Sequence, residues 1–263
     1  MNRIDKKFKE LRRQKKKALI SFITCGDPNL TTTYQLALEF DRGGTDILEL
    51  GVPFSDPLAD GPVIQAASGR ALKNKVNLAS VFGLVKRVRE KSEMPIALLT
   101  YYNIIYRFGI KNFVKQARLA GVDGVIVPDL PVEEARELIK EARKGKLATI
   151  FLLAPTTEAK RIRQICSASS GFIYYVSLTG TTGVRKTLPE ELKRRLRQIK
   201  RITAKPVCVG FGISSPQQAA EAAAVADGVI VGSAIIKVIE RNLGHKDLVS
   251  KVAEFAGRLR GAL

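Results

Sequence analysis

Eight short and almost uninterrupted apolar runs punctuate the chain: "ALISFIT", "DILELG", "PIALLTY", "GVIVPD", "ATIFLLAP", "FIYYVS", "PVCVGFG" and "GVIVGSA". Runs of this length, rich in β-branched residues and lacking polar alternation, predict parallel strands buried on both faces. Between them apolar residues recur at helical spacing, as do Leu192, Leu196 and Ile199 in "ELKRRLRQIKR". The segment "TTEAKRIRQIC" is predicted to open on Thr156 or Thr157, and Pro189 and Pro216 stand near the first helical position of the segments that follow. Eight strand-and-helix units in one series predict an α/β fold, a (β/α)8 TIM barrel forming one domain over residues 1–263. Ile4, Phe8 and Leu11 mark an extra N-terminal helix, predicted to cover the bottom of the barrel. An open doubly wound sheet is the alternative, but no strand leads into its G-x-G-x-x-G fingerprint.

Composition narrows the chemistry. The single histidine, His245, sits late in the chain beside Lys246, which argues against His-rich zinc sites and a Ser-His-Asp triad. Cys25, Cys166 and Cys208 are too few and too far apart for a disulfide framework and read as buried structural thiols. No apolar run is long enough for a membrane span and no signal-peptide core follows the N-terminus, so a cytoplasmic location is expected. The net charge of +19 invites a nucleic-acid reading. Its two densest stretches, "KKFKELRRQKKK" and "ELKRRLRQIKR", carry apolar residues at helical spacing, so the charges are expected on solvated helix faces. No specific nucleic-acid function is expected, although attraction of anions is.

In a barrel of this class functional groups gather at the C-terminal ends of the strands. Here those ends read "TCGDP", "LELGVPFSDPLADG", "TYYN", "VPDLP", "APTT", "SLTGTTG", "GFGISS" and "GSA". They hold neither lysine nor histidine, which disfavours a Schiff-base mechanism and leaves carboxylate, tyrosine and backbone chemistry. The last two ends run through Gly210, Gly212 and Gly232 straight into helix starts, where free N–H groups and the helix dipole favour a phosphate. The competing possibility is that these glycines only permit turns while Ser215 and Ser233 cap helices. Glu49 shares a strand face with Ile47 and Gly51. If that face is the barrel interior, burial raises the Glu49 pKa and suits it to acid–base work; otherwise it forms a buried salt bridge. Asp60, just before "GPVIQAA", is either a second catalytic carboxylate or a helix cap. Phe22, Leu99, Tyr101, Ile126, Tyr174 and Phe211 collect at the same ends and predict a mostly apolar small-molecule pocket.

Those residues closely resemble the tryptophan synthase α-subunit family. "LELGVPFSDPLADGP" matches its signature almost letter for letter, and "FITCGDP", "LLTYYN", "VIVPDLPVEE", "YYVSLTGTTG", "GFGISSPQQ" and "GSAIIKVIE" extend the likeness along the chain. The resemblance implies a lyase of tryptophan biosynthesis that cleaves indole-3-glycerol phosphate to indole and glyceraldehyde 3-phosphate. It implies Glu49 as the principal acid–base group, Asp60 holding the indole N1–H, and Tyr174 lining the pocket near Glu49. Phe22, Leu99, Tyr101, Ile126, Thr182 and Phe211 would surround the indole, and Gly183, Gly212, Gly232 and Ser233 would hold the phosphate. It further implies an α2β2 complex with a β subunit that carries pyridoxal phosphate, this chain itself having no cofactor. The "PFSDP" loop, Asp129 and the "TGTTGVRK" loop would face that partner. A stand-alone lyase or a non-catalytic phosphate-binding barrel are the alternatives.

Overall fold

A computed structural model describes residues 2–176, 190–210 and 212–263. All eight apolar runs are strands: β1 (Ala18–Thr24), β2 (Ile47–Gly51), β3 (Ile96–Leu99), β4 (Gly124–Ile126), β5 (Ala148–Ile150) with β6 (Leu152–Leu153), β7 (Ile173–Val176), β8 (Val207–Gly210) and β9 (Gly228–Val231). The ladders are all parallel and run β5-β4-β3-β2-β1-β9-β8-β7-β6. Only Phe151 separates β5 from β6, so they are two halves of one run and the ring closes through it. This is the parallel barrel that the pattern predicts.

Register sorts the side chains into two layers. Ala18, Ile20, Ile47, Ala97, Ile126, Ile150, Cys208 and Ile230 form an inner cluster, whereas Leu19, Leu48, Leu50, Leu98 and Val229 pack outward against the helices. The face shared by Ile47, Glu49 and Gly51 is therefore the interior one.

Helix α1 (Arg3–Arg13) lies where the sequence predicts it. Its Ile4, Phe8 and Leu11 join the inner cluster, and Phe8 meets Phe172 with ring centroids 5.8 Å apart. Asn2 caps the helix and donates to the carbonyls of Asp123 and Lys146 at the starts of β4 and β5, fastening α1 across the barrel floor.

Along the outside run α2 (Leu30–Arg42), α4 (Leu78–Arg89), α6 (Ile110–Ala120), α7 (Arg136–Lys144), α8 (Ala159–Ala168), α9 (Glu190–Ile202), α10 (Pro216–Ala223) and α12 (Leu248–Arg260). Three helices exceed the eight simple units: α3 (Pro62–Lys73), α5 (Tyr102–Phe108) and α11 (Ser233–Arg241), which follow β2, β3 and β9. Each starts at a strand's C-terminal side, so the additions thicken the functional end of the barrel. Helix α8 begins after Glu158, later than Thr156 or Thr157, because the Thr157 hydroxyl instead accepts the Ala154 N–H at 3.0 Å and closes the preceding turn. Pro189 lies outside the described residues.

Candidate active site

Glu49 sits in the middle of β2 with 1% of its surface exposed. Among the described residues no basic side chain forms an ion pair with it and its Oε2 finds no hydrogen-bond partner, so the buried salt bridge is not formed there. A carboxylate so placed is costly to ionise. Burial, helped by the nearby charge of Asp60, pushes the Glu49 pKa up to about 8. At neutral pH the group therefore keeps its proton.

Asp60 does not cap α3. The N-cap is Gly61, which makes no side-chain cap, and Pro62 opens the helix. The Asp60 carboxylate instead accepts the Tyr101 hydroxyl at 3.1 Å, and that hydroxyl accepts the Ala59 N–H at 3.0 Å. Burial raises the Asp60 pKa, and the bond from Tyr101 pulls it partly back. The Tyr101 ring also lies 5.0 Å from that of Phe54, so one tyrosine grips the Pro-rich loop at both its stem and its carboxylate.

Tyr101 is itself held from behind. It is the N-cap residue of α5 and offers no side-chain cap, so the Asp129 carboxylate, after β4, accepts the Tyr102 N–H at 2.9 Å. Helix α3 is anchored in a comparable way. Arg70 makes a two-pronged pair with buried Asp27, at 2.7 and 2.9 Å, and reaches Glu240 of α11 at 3.1 Å. The helix that follows Asp60 is thus tied to the helix that starts at Gly232.

The remaining pocket is shaped by glycines that leave room for rings. A methyl group at Gly51 would stand 2.8 Å from Phe22 Cζ, and one at Gly232 would stand 3.1 Å from Phe22 Cδ1. Phe22 therefore spans the gap between the Glu49 strand and the α11 start. A methyl at Gly210 would press within 2.8 Å of the Tyr174 ring. Tyr174 has its hydroxyl pKa raised, first by burial and then by the charge of Glu49, which places the two in one electrostatic environment. Its neighbour Tyr175 turns outward into the core beneath the helices. Leu99 and Ile126, paired across β3 and β4, complete the apolar wall.

At the far side β8 and β9 end side by side, Gly210 paired with Ile230. Gly212 adopts φ +48 with open space where a side chain would be. Helix α11 has Gly232 as N-cap, with no side-chain cap, so its first N–H groups are unclaimed among the described residues. Ser233 occupies the first helical position and does not cap. Ser215 does cap: its hydroxyl accepts the Gln218 N–H at 3.3 Å, opening α10. The structure thus brings Glu49, Asp60, Tyr174, Phe22, Leu99, Tyr101, Ile126, Gly212, Gly232 and Ser233 to one end of the barrel. Thr182, Gly183 and Phe211 lie outside the described residues, as does the "TGTTGVRK" loop. Among the described residues no cluster of three or more His, Cys, Asp or Glu is arranged to hold a metal ion.

Sequence reasoning missed Arg70 and Asp27 and gave Asp129 only as facing the partner, not as the cap of α5. Their partners are 43 and 27 positions away, and only the invitation of an uncapped "TYYN" helix start hinted at Asp129.

The surface beside the site is distinctive. Leu58, in the loop that carries Asp60, is 92% exposed, and Tyr106 of α5 is 70% exposed. Both belong to segments that follow the C-terminal ends of strands, β2 and β3.

The family model described as "Tryptophan synthase alpha chain" matches residues 8–263. The tryptophan synthase alpha chain of Geotalea daltonii is 48% identical over 263 residues, which are the whole of this chain and 99% of that one. The crystal structure of tryptophan synthase subunit alpha from Legionella pneumophila superimposes with a TM-score of 0.93 at 41% identity, covering 100% of this chain and 98% of that one. A Pyrococcus furiosus structure concerned with mutual activation of the tryptophan synthase a2b2 complex matches with a TM-score of 0.86 at 41% identity, over 93% of this chain and 98% of that one. The buried carboxylate, the helix-start pair and the ring-lined wall thus stand on a chain and a barrel that match these proteins over at least 93% of the chain's length, and the chain belongs to the tryptophan synthase alpha chain family.

Proposed function

We propose that Glu49 and Asp60 carry out the cleavage of indole-3-glycerol phosphate to indole and glyceraldehyde 3-phosphate. The alpha subunit of the family catalyses that reaction, a lyase step of tryptophan biosynthesis. The observation that carries the residue assignment is the Glu49 carboxyl, buried, its Oε2 without a hydrogen-bond partner among the described residues, and holding its proton up to about pH 8. Breaking the bond between indole C3 and the glycerol chain needs a proton delivered to C3 and another removed from the C3′ hydroxyl. Protonated Glu49 supplies the first. The carboxylate so formed takes the second, and Glu49 ends as it began.

Asp60 accepts the indole N1–H and stabilises the positive charge that spreads to that nitrogen when C3 is protonated. Tyr101 keeps the carboxylate aimed and partly counters the rise in its pKa, favouring the ionised form. Phe22, Leu99, Ile126 and Tyr174 enclose the ring, together with Thr182 and Phe211. Gly212, Gly232 and Ser233 receive the phosphate on backbone N–H groups, joined by Gly183. Binding at this remote end fixes the reacting bond against Glu49.

The chain works with a beta subunit, and pyridoxal phosphate belongs to that partner. Leu58, Tyr106 and the Asp129 region form the docking face, supported by their exposure beside the pocket mouth. The whole chain acts as one barrel domain. A cytoplasmic setting goes with this reading and is supported by three free thiols; among the described residues no helix is long and apolar enough to cross a membrane. Indole release from indole-3-glycerol phosphate, with and without a cognate beta subunit, tests the assignment. Glu49→Gln is expected to bind substrate and release no indole, and turnover retained by that variant would remove Glu49 from the chemistry.

A further inference from the structure

The catalytic reading leaves the basic surplus unused, and the fold gathers its two densest stretches together. Arg12, in the N-terminal run, donates to the Ala204 carbonyl at 3.3 Å, just beyond the end of α9. Two clefts open along α9. One, of about 600 Å³, is lined by Arg194, Arg195, Arg197 and Arg201 with Glu191 as its one acid. The other, of about 690 Å³, is lined by Arg163, Arg201 and Lys205. Arg201 belongs to both, so the clefts adjoin. Neither shares a residue with the site at the barrel mouth.

Among the described residues no carboxylate comes within ion-pair distance of these arginines. Glu190 is engaged by Lys193 at 2.6 Å and Asp227 by Lys200 at 2.7 Å. Arg163, Arg194, Arg197 and Arg201 have no ion pair among the described residues. Arg195 donates to the Thr157 carbonyl and to Gln198, while its buried Nε has no acceptor. Positions 194, 197 and 201 recur on one helix face over roughly 10 Å at 1.5 Å per residue. We propose that the groove along α9 binds a linear polyphosphate chain.

Guanidinium groups match phosphate oxygens in a fork and remain charged at every physiological pH, which suits a row of them to a row of phosphates. The surroundings argue against other anions. The cleft's aromatic ring, Tyr175, is 1% exposed, so no platform is offered for stacking bases. Leu192, Leu196 and Ile199 of α9 are buried in the core, so the helix has no apolar edge to insert into a lipid surface.

The experiment measures binding of a short linear polyphosphate of defined length to the full chain, by titration calorimetry over a range of salt. The protein with Arg194→Gln, Arg197→Gln and Arg201→Gln is compared with one losing three charges elsewhere, Lys86→Gln, Lys91→Gln and Lys115→Gln. The arginine variant is expected to weaken binding at least about tenfold at moderate salt and to lower the log–log salt slope by about three, one for each contact removed. The lysine variant is expected to bind as the parent does, and both are expected to retain lyase activity, which reports that each is folded. Equal loss in the two variants would reduce the effect to net charge and overturn the groove. So would the absence of binding by the parent at moderate salt, or tighter binding of a single-stranded nucleic acid of matched charge.

Discussion

Tyr101 and Asp60 share one hydrogen bond, 3.1 Å long, whose donor oxygen is simultaneously the acceptor for the backbone of Ala59. The tyrosine therefore fixes both the carboxylate and the chain that carries it. Tyr101→Phe keeps the ring against Phe54 but leaves the Ala59 N–H without its partner. A loss of about 1–2 kcal/mol of transition-state stabilisation, roughly tenfold in kcat/KM, is expected with little change in folding. Because the bond lowers the Asp60 pKa, its removal is also expected to move the acid limb of the pH–rate profile upward. Steady-state kinetics across pH check both; an unchanged profile and rate would mean that Tyr101 is only part of the wall.

Glu49 links catalysis to stability. An ordinary glutamate, near 4.5, is ionised in the unfolded chain at neutral pH, whereas the folded chain holds the proton up to about 8. Folding therefore becomes less favourable as pH rises from about 4.5 to about 8, by at most about 5 kcal/mol, and the penalty stays constant above that. Glu49→Gln escapes it. Denaturant midpoints of parent and variant are expected to diverge across this window, with the variant gaining at alkaline pH. In the parent, kcat/KM is expected to fall as pH passes about 8, where the acid that protonates indole C3 is lost.

Gly210 has no room to spare. Gly210→Ala would set a methyl group against the Tyr174 ring, and overpacking of this kind costs about 1–3 kcal/mol. The expected outcome is a modest drop in melting temperature with a larger drop in activity, since the displaced ring is the one coupled to Glu49. The double variant Gly210→Ala, Tyr174→Phe tests the source of the clash, and no recovery is expected because the ring carbons, not the hydroxyl alone, are in contact.

Arg70 neutralises Asp27, whose carboxylate is buried from solvent. Arg70→Met removes the cation from a carboxylate with no side-chain exposure, and a loss of about 3–5 kcal/mol is expected. Asp27→Asn in that background is expected to restore part of it by removing the unpaired charge. Chemical denaturation of the single and double variants gives the comparison.

Asp129 caps a helix across the sheet, and Asp129→Ala is expected to cost about 1 kcal/mol of stability. Loosening α5 also frees Tyr101 and the exposed Tyr106, so the variant is expected to show weaker activation by the beta subunit. Titrating that subunit while following indole release checks this; full activation at parental concentrations would limit Asp129 to a structural role.

What could be read in the sequence and what could not follow from range. The eight strands were legible because a strand buried on both faces must be apolar throughout, and "GVIVPD" or "PVCVGFG" admit little else. Glu49 stood out because it breaks such a run. Helix α5 was harder, since so short a helix, with only Ile105 buried, lacks a full apolar stripe. The start of α8 was misread because a threonine can serve a turn as well as a cap. The contacts that decide the geometry of Asp60, from Tyr101, Asp129 and Arg70, join residues that periodicity cannot connect.

The N-terminal helix has a consequence for traffic. With Ile4, Phe8 and Leu11 packed into the inner cluster, the lower barrel is filled among the described residues, which leaves the opposite end as the doorway for whatever meets Glu49 and whatever leaves. A subunit seated around Leu58 and Tyr106 then stands at the threshold. Seated there, such a partner would govern arrivals and departures without touching the carboxylates.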